Sequence, residues 1–358
     1  MIPISVCMIV KNEEANIEKC LQKLAPYPYE LVVVDTGSSD RTKEIALKFT
    51  EHVYDFTWID DFSAARNFSI EKATNEWILV IDCDEFIEEL DHAQIQELIS
   101  KYPESIGQLT RKNICYDSNH DTLYTTDLVE RLFHRKYYHY EGRIHEQVVR
   151  MDHSMPSAFE IPLSILHTGY TGTQENLTAK AERNIRLLLL DLQDNPEDPY
   201  TYFQLGESYM LQNDYESAYT YFDKGLFLDV DESLEYVKRM VVSYGYCLLH
   251  TNRIEQAASL SGVYDAFCNN ADYLFLMGNI FLRLMRNEEA LAMFLKATQT
   301  EEHFDEGTNS HRAFHNIGCI YEAYGLHDEA IAYYKKAGDY PLSVERLLRL
   351  QEKKGVSS

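Results

Sequence analysis

Residues 76–85 read EWILVIDCDE, a continuous apolar run that closes on three acids in its last four positions. Short, β-branched and bounded by polar residues, the run predicts a strand buried on both faces. Two stretches upstream have the same pattern. ISVCMIV (4–10) gives way to Lys11-Asn12-Glu13-Glu14, and ELVVVD (30–35) to Thr36-Gly37-Ser38-Ser39-Asp40. Between these runs, Glu14 to Leu24 and Asp40 to Phe49 carry apolar residues at helical spacing. Strands alternating with helices predict a parallel, doubly wound sheet that takes its ligands outside the carboxyl ends of the strands. Three polar strand ends are therefore expected to meet in one acidic, hydroxyl-rich crevice.

Further along, strand-like pieces at 106–110, 128–134, 142–149 and 161–167 predict antiparallel additions to the sheet that build an acceptor wall. Glu175 to Asp194 reads as a helix leading away. Beyond it Gly206, Gly245, Gly278 and Gly318 are each followed twelve residues later by Ala218, Ala257, Ala290 and Ala330. Tyr209, Leu248, Phe281 and Tyr321 stand three positions after the glycines, and Phe222, Ser261, Phe294 and Tyr334 four after the alanines. Small residues recurring in this register predict stacked helix pairs that touch at those points, with the second pair degenerate. The expected organisation is an α/β domain at 1–172, an all-α solenoid at 173–350 and a flexible tail at 351–358.

The charges bound the partners. Thirty-three Lys and Arg against 58 Asp and Glu leave a net charge of −25, which repels nucleic acid and anionic lipid. Any anionic substrate needs local compensation from a cation and a few placed arginines. Seven cysteines, with no CxxC pair, fit neither a disulfide framework nor a zinc site. The apolar opening before Lys11 is too short for a signal sequence or a membrane span, so the expected location is a reducing cytoplasm.

Carboxylates at i and i+2 on a strand end, Asp82 and Asp84, can reach one hard cation together with the ribose or diphosphate of a nucleotide. Their setting carries more information than the triplet alone. SVCMIVKNEEANIEKCL, ELVVVDTGSSDRTKEIA and DFSAARNFSIEKATNEWILVIDCDE resemble the family-two inverting glycosyltransferases of the GT-A fold. RLFHR (131–135), EGRIHEQV (141–148) and LHTGY (166–170), followed by repeats, resemble the subgroup containing sublancin-type peptide S-glycosyltransferases and lipopolysaccharide-core glucosyltransferases. The repeats at 196–228 and 311–338 resemble tetratricopeptide repeats. The implied architecture is a Rossmann-like, doubly wound mixed sheet followed by a tetratricopeptide-like solenoid.

Carried over residue by residue, the resemblance implies a UDP-sugar donor with Mg²⁺ or Mn²⁺. Asp35 would receive a base N–H, and the main chain from Val10 to Asn12, with Glu14 nearby, would frame the ring. Arg66 would meet the diphosphate, Asp82 the ribose, and Asp84 the metal, with Asp82 and His167 as further metal contacts. Asn12, Asp35 and Asp40 could instead cap helices, Arg66 could be a surface ion-pair partner, and His167 a core histidine. Cys83 reads as a packing residue. An inverting transfer also needs a base for the acceptor proton, for which Glu146, and after it His145, are the candidates. The product would be a hexose or N-acetylhexosamine on a peptide, protein or cell-envelope saccharide. The repeats would hold the acceptor, or else support a homodimer. A contrasting reading is a catalytically inactive nucleotide-binding scaffold whose repeats bind proteins.

Overall fold

A computed structural model describes the backbone of residues 2–116, 122–168 and 174–356, and the side chains of 2–114, 126–168 and 181–351. The chain divides into two compact units, Met1–Asp191 and Leu192–Ser358.

The first unit is built on β1 (Ile4–Val10), α1 (Ile17–Leu24), β2 (Glu30–Asp35), α2 (Thr42–Ala46), β3 (Val53–Asp55), α3 (Phe62–Lys72), β4 (Trp77–Val80), β5 (Glu85–Leu90) and α4 (His92–Lys101). It continues through β6 (Ile106–Tyr116), β7 (Thr122–His134), β8 (Tyr138–Glu141), β9 (Gln147–Arg150), β10 (Ala158–His167) and α5 (Gln174–Asp194). Eight strands form one sheet in the order β3-β2-β1-β4-β7-β6-β10-β5, while β8 and β9 pair separately. The strands β3, β2, β1 and β4 are parallel, β7 runs antiparallel to both β4 and β6, and β5 runs antiparallel to β10. This is the mixed sheet of a GT-A domain.

The continuous apolar runs are buried because helices cover both faces. Ile4, Val6, Met8 and Val10 of β1 pack into one core cluster with α1, while Cys7 of β1 packs into the other with Ile70 of α3. Register then delivers the strand ends to one edge: Val10 lies opposite Asp35, and Cys7 opposite Val80.

Two sequence expectations need refinement here. The piece at 142–149 is mainly a turn, because Gly142 (φ +97°) and His145 (φ +53°) adopt left-handed backbone that reverses the chain between β8 and β9. Its hairpin stays outside the main sheet, and β10 pairs parallel, not antiparallel, with β6.

The second unit stacks α6 (Pro199–Leu211) with α7 (Tyr215–Phe227), and α8 (Glu235–His250) with the short α9 (Ile254–Ala258) and α10 (Tyr264–Phe267). It goes on with α11 (Ala271–Arg283) on α12 (Asn287–Ala297), α13 (His311–Ala323) on α14 (His327–Lys336), and α15 (Pro341–Val356). The glycines sit where the helices meet. A Cβ on Gly206, Gly278 or Gly318 would stand 2.2, 2.5 and 2.5 Å from the rings of Phe222, Phe294 and Tyr334, all fully buried. In the degenerate second pair Gly245 instead faces Leu276, 2.3 Å from its notional Cβ. Helix α5, anticipated as the start of the solenoid, clusters with the first unit as far as Asp191, and α15 runs on to Val356 through the stretch anticipated as a tail. Among the described residues, no helix is long and apolar enough to cross a membrane.

Candidate active site

The turn between β4 and β5 carries Asp82, Cys83 and Asp84, and its geometry follows from the sheet. Strand β5 returns at the far edge, where Glu85 pairs with His167 at the end of β10. The same register brings Asn113 of β6 beside His167. On the other side of the turn, β7 lies against β4 with Leu132 opposite Leu79, which brings Arg131 towards the strand's carboxyl end.

Around Asp82 lies a buried ionic network. The Nη1 and Nη2 of Arg66 donate to Oδ1 and Oδ2 of Asp82 at 2.8 and 3.1 Å, and its Nε donates to Oε1 of Glu146 at 2.6 Å. Arg131 Nη2 donates to Asp82 Oδ2 at 3.0 Å and to Glu85 Oε1 at 2.8 Å, while Glu85 Oε2 accepts the Asp82 backbone N–H at 2.9 Å. Glu85 thus grips Asp82 at its main chain directly and at its carboxylate through Arg131. Burial alone would raise the pKa of Asp82, but the two guanidiniums outweigh it and hold the carboxyl well below the usual range. For Glu85 burial wins over Arg131, and its pKa is raised. Burial opposes the charge on Arg66 too, yet Asp82 and Glu146 hold its pKa above the ordinary value. The Tyr140 ring lies 5.4 Å from the Arg66 guanidinium, and its buried hydroxyl has no hydrogen-bond partner among the described residues.

Beside this network Asp84 Oδ2 lies 3.3 Å from His167 Nε2. The other ring nitrogen, Nδ1, is 2.8 Å from Asn113 Oδ1, and Asn113 Nδ2 donates to Asp127 Oδ1 at 3.3 Å. Since Asp127 can only accept, the Asn113 amide must turn its oxygen to the histidine. That fixes a proton on Nδ1 and leaves the Nε2 lone pair facing Asp84 when the ring is neutral.

At the end of β2, Asp35 is 4% exposed, and its Oδ1 accepts the N–H groups of Gly37 and Ser38, both at 2.8 Å. Among the described residues, its buried Oδ2 has no partner.

The anticipated residues therefore separate into groups. Arg66, Asp82 and Glu146 come together, as do Asp84 and His167. Arg66 is no surface residue, being 6% exposed. Asn12 and Glu14 face elsewhere: Asn12 Oδ1 accepts the Ser39 N–H at 2.8 Å, and Glu14 Oε2 accepts Nε of Arg41 at 3.2 Å, tying the loop after β1 to the loop after β2. Val10 is buried, and its carbonyl accepts the Thr36 N–H. His145 is exposed on the turn beside Glu146. Asp82, anticipated also as a metal contact, is taken up by two arginines. Among the described residues no cluster of three or more His, Cys, Asp or Glu is placed to hold a metal. Cys83 is buried, and burial pushes its thiol pKa up, in keeping with a packing role. Gly169 and Tyr170 of the LHTGY motif lie outside the described residues.

Residues 5–155 match the family described as glycosyl transferase family 2, and residues 199–229 and 311–337 match the tetratricopeptide repeat. The chain carries a family 2 glycosyltransferase domain followed by tetratricopeptide repeats. The SPbeta prophage-derived glycosyltransferase SunS of Bacillus subtilis is 28% identical over 306 residues, covering 83% of this chain and 71% of that relative. A TPR repeat-containing protein of Synechococcus elongatus is 32% identical over 237 residues, 63% of this chain and 57% of its own length. The lipopolysaccharide core biosynthesis glycosyltransferase LpsC of Rhizobium meliloti is 26% identical over 110 residues, 30% of this chain and 40% of its own. The network around Asp82 thus lies within a glycosyltransferase domain. Sequence reasoning missed Arg131, Glu85, Asn113 and Tyr140 as site residues, although RLFHR and DCDE contain the first two.

Proposed function

We propose that this chain transfers a hexose or N-acetylhexosamine from a UDP-sugar, with inversion, to a peptide or protein side chain. The observation that carries the donor assignment is the buried, partnerless Oδ2 of Asp35. A carboxylate oxygen shut away from water costs free energy unless it accepts a hydrogen bond, and the imide N–H of a uracil supplies one. Two strand spacings, ~10 Å, separate Asp35 from the Asp82 turn, a span that suits a base at one end and a ribose and diphosphate at the other.

The Asp84 and His167 pair fits a divalent cation. A carboxylate and an imidazole lone pair aimed at each other 3.3 Å apart repel unless a cation or a proton lies between them. Mg²⁺ or Mn²⁺ held there would draw its remaining ligands from donor phosphate oxygens and water. Bound, it would offset the charge growing on the leaving diphosphate. Glu146 is the base: it takes the acceptor proton while the acceptor's electron pair attacks the anomeric carbon and the carbon–oxygen bond to the diphosphate breaks. The repeats bind the acceptor, and a peptide is favoured because stacked helix pairs suit an extended chain.

The test is release of UDP from a panel of UDP-sugars with and without EDTA. Metal-dependent release is expected for at least one donor, and no release in any condition would leave only the nucleotide-binding scaffold reading. Glu146→Gln should abolish transfer while UDP still binds; unchanged turnover would remove Glu146 from the mechanism.

A further inference from the structure

Glu146 and Asp82 lie 64 positions apart in the chain, and one side chain holds both. Arg66 uses its Nε for Glu146 and its two terminal nitrogens for Asp82, and it is 6% exposed between them. The 2.6 Å charge-assisted hydrogen bond from Nε holds the Glu146 carboxylate turned towards Arg66. The ionic groups of the cluster are three carboxylates, Asp82, Glu85 and Glu146, against two guanidiniums, Arg66 and Arg131. Arg131 has two carboxylate partners on the Asp82 side and is fixed there. Arg66 reaches across to the base, and Arg183 also lies within electrostatic reach of it.

We propose that Arg66 is a positioning residue that exchanges partners. It holds Glu146 in the arrangement seen here, and it turns towards the donor's diphosphate when that anion lies beside Asp82, which frees the Glu146 carboxylate to turn to the acceptor proton. This rests on the glycosyltransferase reading above and adds to it a coupling between donor occupancy and the base. A diphosphate next to Asp82 is a stronger competitor for a guanidinium than a single carboxylate, because it offers more charge and several acceptor oxygens. The buried Tyr140 hydroxyl, which has no partner among the described residues, lies in the same cluster and gives the shifted network a further hydrogen-bond donor.

If Glu146 and the diphosphate compete for Arg66, weakening Glu146 must strengthen nucleotide binding, because coupling between two sites is reciprocal. UDP, GDP and dTDP are titrated into the full-length protein in Mg²⁺ buffer by calorimetry, for the wild type, Glu146→Gln and Glu146→Ala. At least one nucleoside diphosphate should bind the wild type. It should bind Glu146→Gln about fivefold tighter or better, and Glu146→Ala tighter still. Simple removal of a negative charge would also help an anion, so the same comparison is made in an Arg66→Lys background, which keeps the charge but loses the planar fork. There the gain should vanish. Equal or weaker binding by both Glu146 variants overturns the exchange, as does a gain that persists undiminished in the Arg66→Lys background. If no nucleoside diphosphate binds the wild type, the glycosyltransferase reading itself falls, and the exchange falls with it.

Discussion

Two side chains at the site invite substitutions whose outcome depends on a single atom. In Asp35→Asn the remaining oxygen can still accept from Gly37 and Ser38, so the turn should persist, but the second position becomes an N–H₂ that meets the base N–H as a donor. Losing a hydrogen bond to a charged group costs about 1.5–3 kcal/mol, so the Kd for UDP should rise at least tenfold with little change in Tm; equal affinity would remove Asp35 from the base site. Asn113, buried behind His167, acts at one remove. Groups that orient a ligating histidine are worth about 10–100-fold in metal affinity. Asn113→Ala should raise the Mn²⁺ concentration needed for half-maximal UDP release by roughly that factor, and an unchanged requirement would mean that His167 ligates no metal. As candidates, Asp35, Arg66, Asp82, Asp84, His167 and Glu146 could be singled out because they stand at strand ends or in ordered motifs. Asn113, Arg131 and Tyr140 were not, since each enters only through the lateral register of β6 and β7 or through the β8–β9 hairpin, which local patterns do not encode.

At the level of elements, the parallel strands β1, β2 and β4 and the helix pairs were readable because burial on both faces leaves continuous apolar runs, and close helix contacts leave periodic glycines; the three-residue β3 was not. Strand β5 was not, as EFIEEL alternates weakly and follows an acidic turn that reads equally as a loop. The glycine register makes a prediction with opposed terms. Gly278→Ala gains about 1 kcal/mol of helix propensity, but its methyl would stand 2.5 Å from the ring of Phe294, which is fully buried and hemmed by Phe275. Overpacking a tight core costs about 1–3 kcal/mol, so the clash should win and urea denaturation should show a net loss. Gly262→Ala, with nothing within 4 Å of the notional methyl, should be neutral or slightly stabilising. A second test concerns the α13–α15 contact, where His315 Nδ1 meets the Ser343 hydroxyl at 2.9 Å. Burial, helped by Arg346, lowers the pKa of His315 despite Glu322 nearby. The folded state therefore binds this proton less readily than the unfolded chain, and stability present above pH ~6.5 is lost as the pH falls below it. The stability difference between wild type and His315→Gln should shrink from pH 7.5 to pH 5.5 in urea titrations; a difference independent of pH would mean that His315 does not couple to folding.

On the scale of the whole chain, the core clusters of the described residues separate with the units: Ile4 to Ile165 make up those of the sheet, and Phe203 to Leu350 those of the repeats. Each unit therefore buries enough apolar surface of its own to be a candidate for independent folding. The division falls at Asp191, inside α5, so the helix that the sequence suggested as the first of the solenoid belongs for most of its length to the catalytic unit. Its Ile185, Leu187 and Leu188 are buried, and a truncation at residue 172 would discard them and expose whatever they cover. A fragment ending at Asp191 should instead keep the far-UV circular dichroism expected of the α/β unit. If the donor site is complete within that unit, it should bind UDP within about threefold of the full chain, since a purely local site leaves the coupling free energy to the repeats near zero. If the repeats hold the acceptor, the same fragment should release UDP by hydrolysis yet transfer sugar to a peptide substrate at least tenfold more slowly. Equal loss of hydrolysis and transfer in a folded fragment would assign the repeats a structural role, and undiminished transfer would place acceptor recognition wholly on the sheet side of Asp191.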